Sequence, residues 1–118
     1  MLVVDDEADV RESLAEMLEL LGHRVLPVET AREALESGAA ASADLVFVDL
    51  RMPGIDGLRF RDAMVTRNPR LASRVGIMTG DAVEGPGAVE RHAGGGEIPI
   101  MEKPFTLADV RRVLGAFA

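Results

Sequence analysis

The sequence predicts an α/β fold, an open and doubly wound parallel sheet of five strands with helices on both faces. Two observations lead there. Short apolar runs alternate with stretches of helical period five times along the 118 residues, the mark of repeated βα units joined by right-handed crossovers. The clearest of these runs is continuously apolar, as in a strand covered on both faces of a parallel sheet.

Leu2-Val3-Val4 stops at Asp5-Asp6-Glu7 and reads as a buried strand ending at an acidic loop. From Ala8 the period changes: Val10, Leu14, Met17, Leu18 and Leu21 form one stripe, Arg11, Glu12, Glu16 and Glu19 lie opposite, and Gly22 ends the helix. Val25, Leu26 and Val28 suggest a second strand, and Thr30 suits the cap of a helix from Ala31 to about Ser37, with Gly38 beyond it.

Leu45-Val46-Phe47-Val48 is the clearest strand, and it ends at Asp49. Met52-Pro53-Gly54 breaks regular structure, Asp56 is a candidate cap, and Phe60, Ala63 and Met64 give the next helix its inner face up to Asn68-Pro69. Val75 to Met78 is the fourth strand, closing at Thr79-Gly80-Asp81, with a weaker helix from Gly87 to His92. Ile98 to Met101 is the fifth strand, followed by Glu102-Lys103-Pro104 and a last helix marked by Leu107, Val110, Leu114 and Phe117.

Composition narrows the function. A length of 118 residues makes a single domain, 1–118. Thirteen basic and 20 acidic residues give a formal charge of −7, which disfavours direct binding to nucleic acid or to an anionic membrane surface. The absence of cysteine excludes disulfides and thiol chemistry. No apolar run approaches the ~18 residues of a spanning helix and no signal-peptide pattern is present, so the expected compartment is the cytoplasm.

In such a sheet, ligands bind beyond the carboxyl ends of the strands. Those ends carry Asp5 and Asp6, Asp49, Thr79 and Lys103. Carboxylates about 4 Å apart repel by roughly 4 kcal/mol at an effective dielectric of 20, so the acidic trio needs protons or a cation. Oxygen ligands without His or Cys nearby in sequence suit Mg²⁺, which shares its shell with phosphate oxygens. Lys103 offers positive charge to a phosphoryl group, Thr79 a hydroxyl and Gly80 an unobstructed backbone N–H. One carboxylate can then act as nucleophile, and Asp49 at the end of the central strand is the best placed.

Leu2-Val3-Val4-Asp5-Asp6-Glu7, Val48-Asp49-Leu50-Arg51-Met52-Pro53-Gly54-Ile55-Asp56-Gly57, Met78-Thr79-Gly80 and Glu102-Lys103-Pro104-Phe105 together resemble the receiver domains of two-component response regulators. The resemblance spans nearly the whole chain. It implies a flavodoxin-like (βα)5 sandwich with strand order 2-1-3-4-5, a phosphoryl group passed from a phosphohistidine to Asp49, and a conformational switch. It further implies Mg²⁺ held by Asp6, Asp49 and the Arg51 carbonyl with Asp5 acting through water, phosphoryl oxygens held by Lys103 and Thr79, and a cis Lys103–Pro104 bond. The implied partner is a histidine kinase or histidine phosphotransfer domain, and the implied domain promotes its own phosphorylation and dephosphorylation. Receivers usually carry Tyr or Phe three residues before the lysine; here Ile100 stands there.

Each of these residues taken alone also has a plainer reading. Asp5, Asp6 and Glu7 alone suit a helix dipole, Asp49 a turn, Thr79 a cap and Lys103 a solvated charge. His23 and His92 read as structural or surface residues, Met52 and Met64 as packing residues, and Gly94-Gly95-Gly96 as a plain loop. A Mg²⁺-dependent phosphatase with an aspartyl nucleophile is a rival, but it would need an acid where Arg51 stands. A partner-binding pseudo-receiver is another, disfavoured because every site position is filled. An Arg51–Asp81 pair is expected to gate the site. The early first strand suggests a segment of a longer chain, with the C-terminal receiver of a hybrid sensor histidine kinase as the expected parent and a free-standing receiver or the receiver of a DNA-binding regulator as the alternatives.

Overall fold

A computed structural model describes residues 1–52, 54–80 and 99–117. The order is β1 (Leu2–Val4), α1 (Ala8–Leu20), β2 (Leu26–Val28), α2 (Ala31–Glu36), α3 (Ala39–Ser42), β3 (Val46–Asp49), α4 (Gly57–Arg67), a 3₁₀ turn (Pro69–Ser73), β4 (Val75–Thr79), β5 (Ile100–Glu102) and α5 (Leu107–Gly115). All four strand pairings are parallel and the sheet order is β2-β1-β3-β4-β5. The expected strand order is therefore present.

Side chains alternate across the sheet with period two. Leu2, Val4, Val46, Val48, Val75 and Ile77 join Phe60 and Met64 of α4 and Ala31 and Ala34 of α2 in one core layer. Val3, Phe47, Met78 and Met101 join Leu14 and Leu18 of α1 and Val110 and Val113 of α5 in the other. Strands covered on both faces need no polar alternation, which explains their unbroken apolar runs. β2 is the exception: Leu26 and Pro27 are exposed, and as an edge strand it tolerates a proline that donates no ladder bond.

The expected caps are present. The Thr30 hydroxyl accepts from the Glu33 N–H at 3.0 Å and an Asp56 carboxylate oxygen from the Arg59 N–H at 2.9 Å. At α5 the cap is reciprocal, with Thr106 accepting from the Asp109 N–H and Asp109 from the Thr106 N–H. The latter bond holds the Asp109 carboxyl below its ordinary value.

Several boundaries differ from the sequence reading. Gly38 lies beyond the end of α2 as expected, but at φ +76° it also leads directly into a further short helix, α3. Pro69 ends α4 but starts a 3₁₀ turn, its fixed φ being suited to a first turn. Ser37 is the cap of α2 and not part of it; β2 omits Val25 and β3 omits Leu45; β3 ends at Asp49 as expected, whereas β4 and β5 run on to Thr79 and Glu102. Met64 is fully buried and Met52 packs on the same layer, as expected for packing residues, while His23 is exposed. The expected helix from Gly87 to His92, the Gly94-Gly95-Gly96 loop, Asp81 and its pairing with Arg51, His92, Ile98 and Pro53 lie outside the described residues. Among the described residues, no helix is long and apolar enough to cross a membrane.

Candidate functional site

Register brings the polar strand ends together. Val4 pairs with Val48, Asp49 with Met78 and Thr79 with Glu102, so Asp5, Asp49, Thr79 and Lys103 emerge side by side. Backbone bonds fix the exits: the Leu50 N–H donates to the Met78 carbonyl at 2.8 Å and the Lys103 N–H to the Thr79 carbonyl at 2.8 Å. The Lys103–Pro104 peptide is cis.

Beyond the strands lies a cleft of about 220 Å³, lined by Asp6, Glu7, Asp49, Leu50, Arg51, Thr79, Gly80 and Lys103. Six of the seven residues expected at the site line it. The seventh, Asp5, has no exposed surface and lies beneath. Its Oδ2 is 3.0 Å from Lys103 Nζ. The same ammonium is 3.3 Å from Asp49 Oδ1 and 3.3 Å from Glu7 Oε1.

Two flanking groups hold Asp5. The Glu7 N–H donates to its Oδ1 at 2.9 Å, and Arg11 Nη1 from the first turn of α1 donates to its carbonyl at 2.9 Å. Arg11 and Glu7 were not expected as site residues. Arg11 carries no sequence signal for this role, because its contact depends on how α1 folds back; Glu7 stood within the acidic motif.

Burial pushes the Asp49 carboxyl up to about 6; Lys103 pulls it down, and Asp5 and Asp6 raise it further. Lys103 faces the opposite balance. Burial alone would lower it, but its bond to Asp5 and the charges of Asp49, Asp5 and Glu7 raise it above its ordinary value. Asp49 therefore ionises with difficulty beside an ammonium that stays charged at neutral pH.

Asp5, Asp6, Glu7 and Asp49 each offer an oxygen within 4.8 Å of the others. Hard oxygen donors this close, with a carboxyl whose ionisation is already suppressed, fit a small divalent cation. Gly80 lines the cleft, but a Cβ there would meet only Lys103 Cδ, at an ordinary 3.9 Å. Packing thus does not demand glycine at that position. Gly57 is different: a Cβ would overlap the Asp49 carbonyl oxygen. The start of α4 lies directly against the exit of β3.

A family profile described as the response regulator receiver domain matches residues 1–114. The chain is 38% identical over 120 residues to the transcriptional regulatory protein FixJ of Azorhizobium caulinodans, covering 98% of this chain and 55% of that one. It is 31% identical over 115 residues to the sensor histidine kinase AruS of Pseudomonas aeruginosa, covering 98% of this chain and 12% of that one. The receiver domain of NtrX from Brucella abortus superposes with a TM-score of 0.80 at 29% identity, covering 98% of this chain and 96% of that one. The chain spans about half the length of FixJ and far less of AruS.

Proposed function

Because the chain belongs to the response regulator receiver family, matched over residues 1–114, we propose that it works as one phosphoacceptor domain, 1–118, with Asp49 as the acceptor. Receivers of two-component systems interact with histidine kinases or phosphotransfer partners, and AruS shows a similar segment within a sensor kinase. The observation that carries the proposal is the position of Asp49: at the end of the central strand, on the cleft, with Lys103 Nζ 3.3 Å away.

In the reaction, an Asp49 carboxylate oxygen forms a bond to phosphorus and the phosphorus–nitrogen bond of the donor phosphohistidine breaks. The imidazole leaves with the electron pair and takes up a proton. The product is an acyl phosphate on Asp49. With its carboxyl at about 6, Asp49 is mostly ionised at neutral pH and ready to attack. Lys103 balances charge on the transferring group, and the Thr79 hydroxyl and Gly80 N–H donate to its oxygens. Asp6, Asp49 and the Arg51 carbonyl would hold Mg²⁺ directly, with Asp5 acting through water. When bound, that ion neutralises phosphoryl charge and orients the group for in-line transfer.

The test is acetyl phosphate with Mg²⁺, followed by intact mass and peptide mapping. A single adduct on Asp49, abolished in Asp49→Asn, is expected. Undiminished labelling of Asp49→Asn would overturn the assignment, rapid turnover without an adduct would favour a phosphatase, and no reaction a pseudo-receiver. The parent chain is a separate proposal, a hybrid sensor kinase, which its full-length coding sequence would decide.

A further inference from the structure

Glu7 occupies the N-cap of α1 without capping it. Its backbone is extended, at φ −89° and ψ 111°, yet its side chain accepts no bond from the helix N-terminus. Ser, Thr, Asp and Asn are preferred at such positions because a short side chain reaches the free N–H groups. The Glu7 carboxylate reaches 96 residues along the chain to Lys103 Nζ instead, at 3.3 Å. The side chain therefore makes no cap hydrogen bond to its own helix, and its contact is with the ammonium of the cleft.

That ammonium has three donors and, among the described residues, faces three carboxylates. Asp5 is fully buried and the Asp49 side chain is 7% exposed, whereas that of Glu7 is 61% exposed. A phosphoryl oxygen that needs Lys103 must displace one of them. Asp5 is fully buried, so losing the lysine would leave its charge uncompensated, and Asp49 is the reacting group, so the exposed Glu7 is the partner that gives way most cheaply.

We propose that Glu7 is a positioning residue that holds the Lys103 donor which an incoming phosphoryl oxygen needs, and so slows phosphorylation of Asp49. The proposal rests on Asp49 being the acceptor. Glu7 keeps the ammonium oriented over Asp5 and Asp49 in the resting domain and lets go of it when the phosphoryl group arrives.

The experiment compares wild type, Glu7→Gln and Glu7→Asp by intact-mass time courses with acetyl phosphate at saturating Mg²⁺. In this reaction an Asp49 oxygen bonds to phosphorus and acetate leaves with the electron pair. Both variants should be labelled faster, by up to about fivefold, the range of a partly exposed ion pair. Aspartate keeps the charge, but its shorter side chain withdraws from Lys103 and can cap α1, so Glu7→Asp should also melt a few degrees higher.

Lys103 is the chain's only lysine, so its side-chain NMR signal is unambiguous. It should differ between wild type and Glu7→Asp at rest and coincide once both are phosphorylated. Slower labelling of Glu7→Gln would overturn the proposal, as would acceleration of Glu7→Gln with an unchanged Glu7→Asp, since charge repulsion and not the lysine contact would then be the cause. Wild type labelled elsewhere than Asp49, or not at all, would remove the acceptor assignment itself and the proposal with it.

Discussion

Asp49 Oδ1 lies 3.3 Å from Lys103 Nζ, and yet the Asp49 carboxyl is pushed up to about 6 from 3.8. Burial at the end of the central strand outweighs the lysine, and Asp5 and Asp6 add to the rise. The lysine also faces Asp5 and Glu7, so one ammonium stands against several carboxylates. The domain thus keeps its candidate nucleophile in an environment that resists the charge it must carry.

This strain has a pH signature. An acid raised on folding binds its proton more tightly in the folded state, so its stabilising effect is complete below about pH 3.8 and is lost as pH rises through about 6. Lys103 is charged in both states across this window and adds no slope there. In EDTA, wild type should lose on the order of 2 kcal/mol relative to Asp49→Asn between about pH 4 and pH 7.5. Urea unfolding at both pH values measures this, and parallel curves for the two proteins would contradict it.

Cation binding should relieve the same strain. Ligation requires Asp49 to lose its proton, so Mg²⁺ affinity should fall as pH drops below about 6. At a hundredfold excess over Kd the ion should stabilise wild type by about 2.7 kcal/mol. Removing a direct ligand in Asp6→Ala should weaken binding by at least about tenfold. Isothermal titration checks both, and an unchanged affinity in Asp6→Ala would argue against Asp6 as a ligand.

Gly57 and Gly115 should respond oppositely to alanine. At Gly57 the added Cβ would overlap the Asp49 carbonyl oxygen and come within 3.0 Å of Leu50 Cα, backbone atoms that cannot rotate away. Gly57→Ala should cost about 1–3 kcal/mol and slow labelling of Asp49 by shifting β3's exit. Gly115, at the end of α5, has nothing within 4 Å of that position. Gly115→Ala should stabilise by up to about 1 kcal/mol. Chemical denaturation of both variants decides, and equal effects would refute the packing argument.

By itself the sequence determined the five strands, the parallel sheet and the residues at the strand ends, because hydrophobic period and helix caps are local patterns written in neighbouring residues. Its strand ends also named Asp5, Asp6, Asp49, Thr79 and Lys103, with Gly80 beside Thr79, since strands of similar length in register must deliver their last residues to one edge; Arg51 entered only through the resemblance to receivers. Only the tertiary structure decided how those residues divide the site. That Asp5 lies beneath the cleft while Asp6 opens onto it depends on which face each exit residue turns to. That Glu7 reaches Lys103 and Arg11 reaches the Asp5 carbonyl depends on the packing of α1 against the sheet. The short α3 and the 3₁₀ turn were also beyond reach, because four or five residues hold too little of a helical period to show it. The raised Asp49 carboxyl belongs with these: desolvation is a property of everything packed around a group, and no spacing along the chain records it.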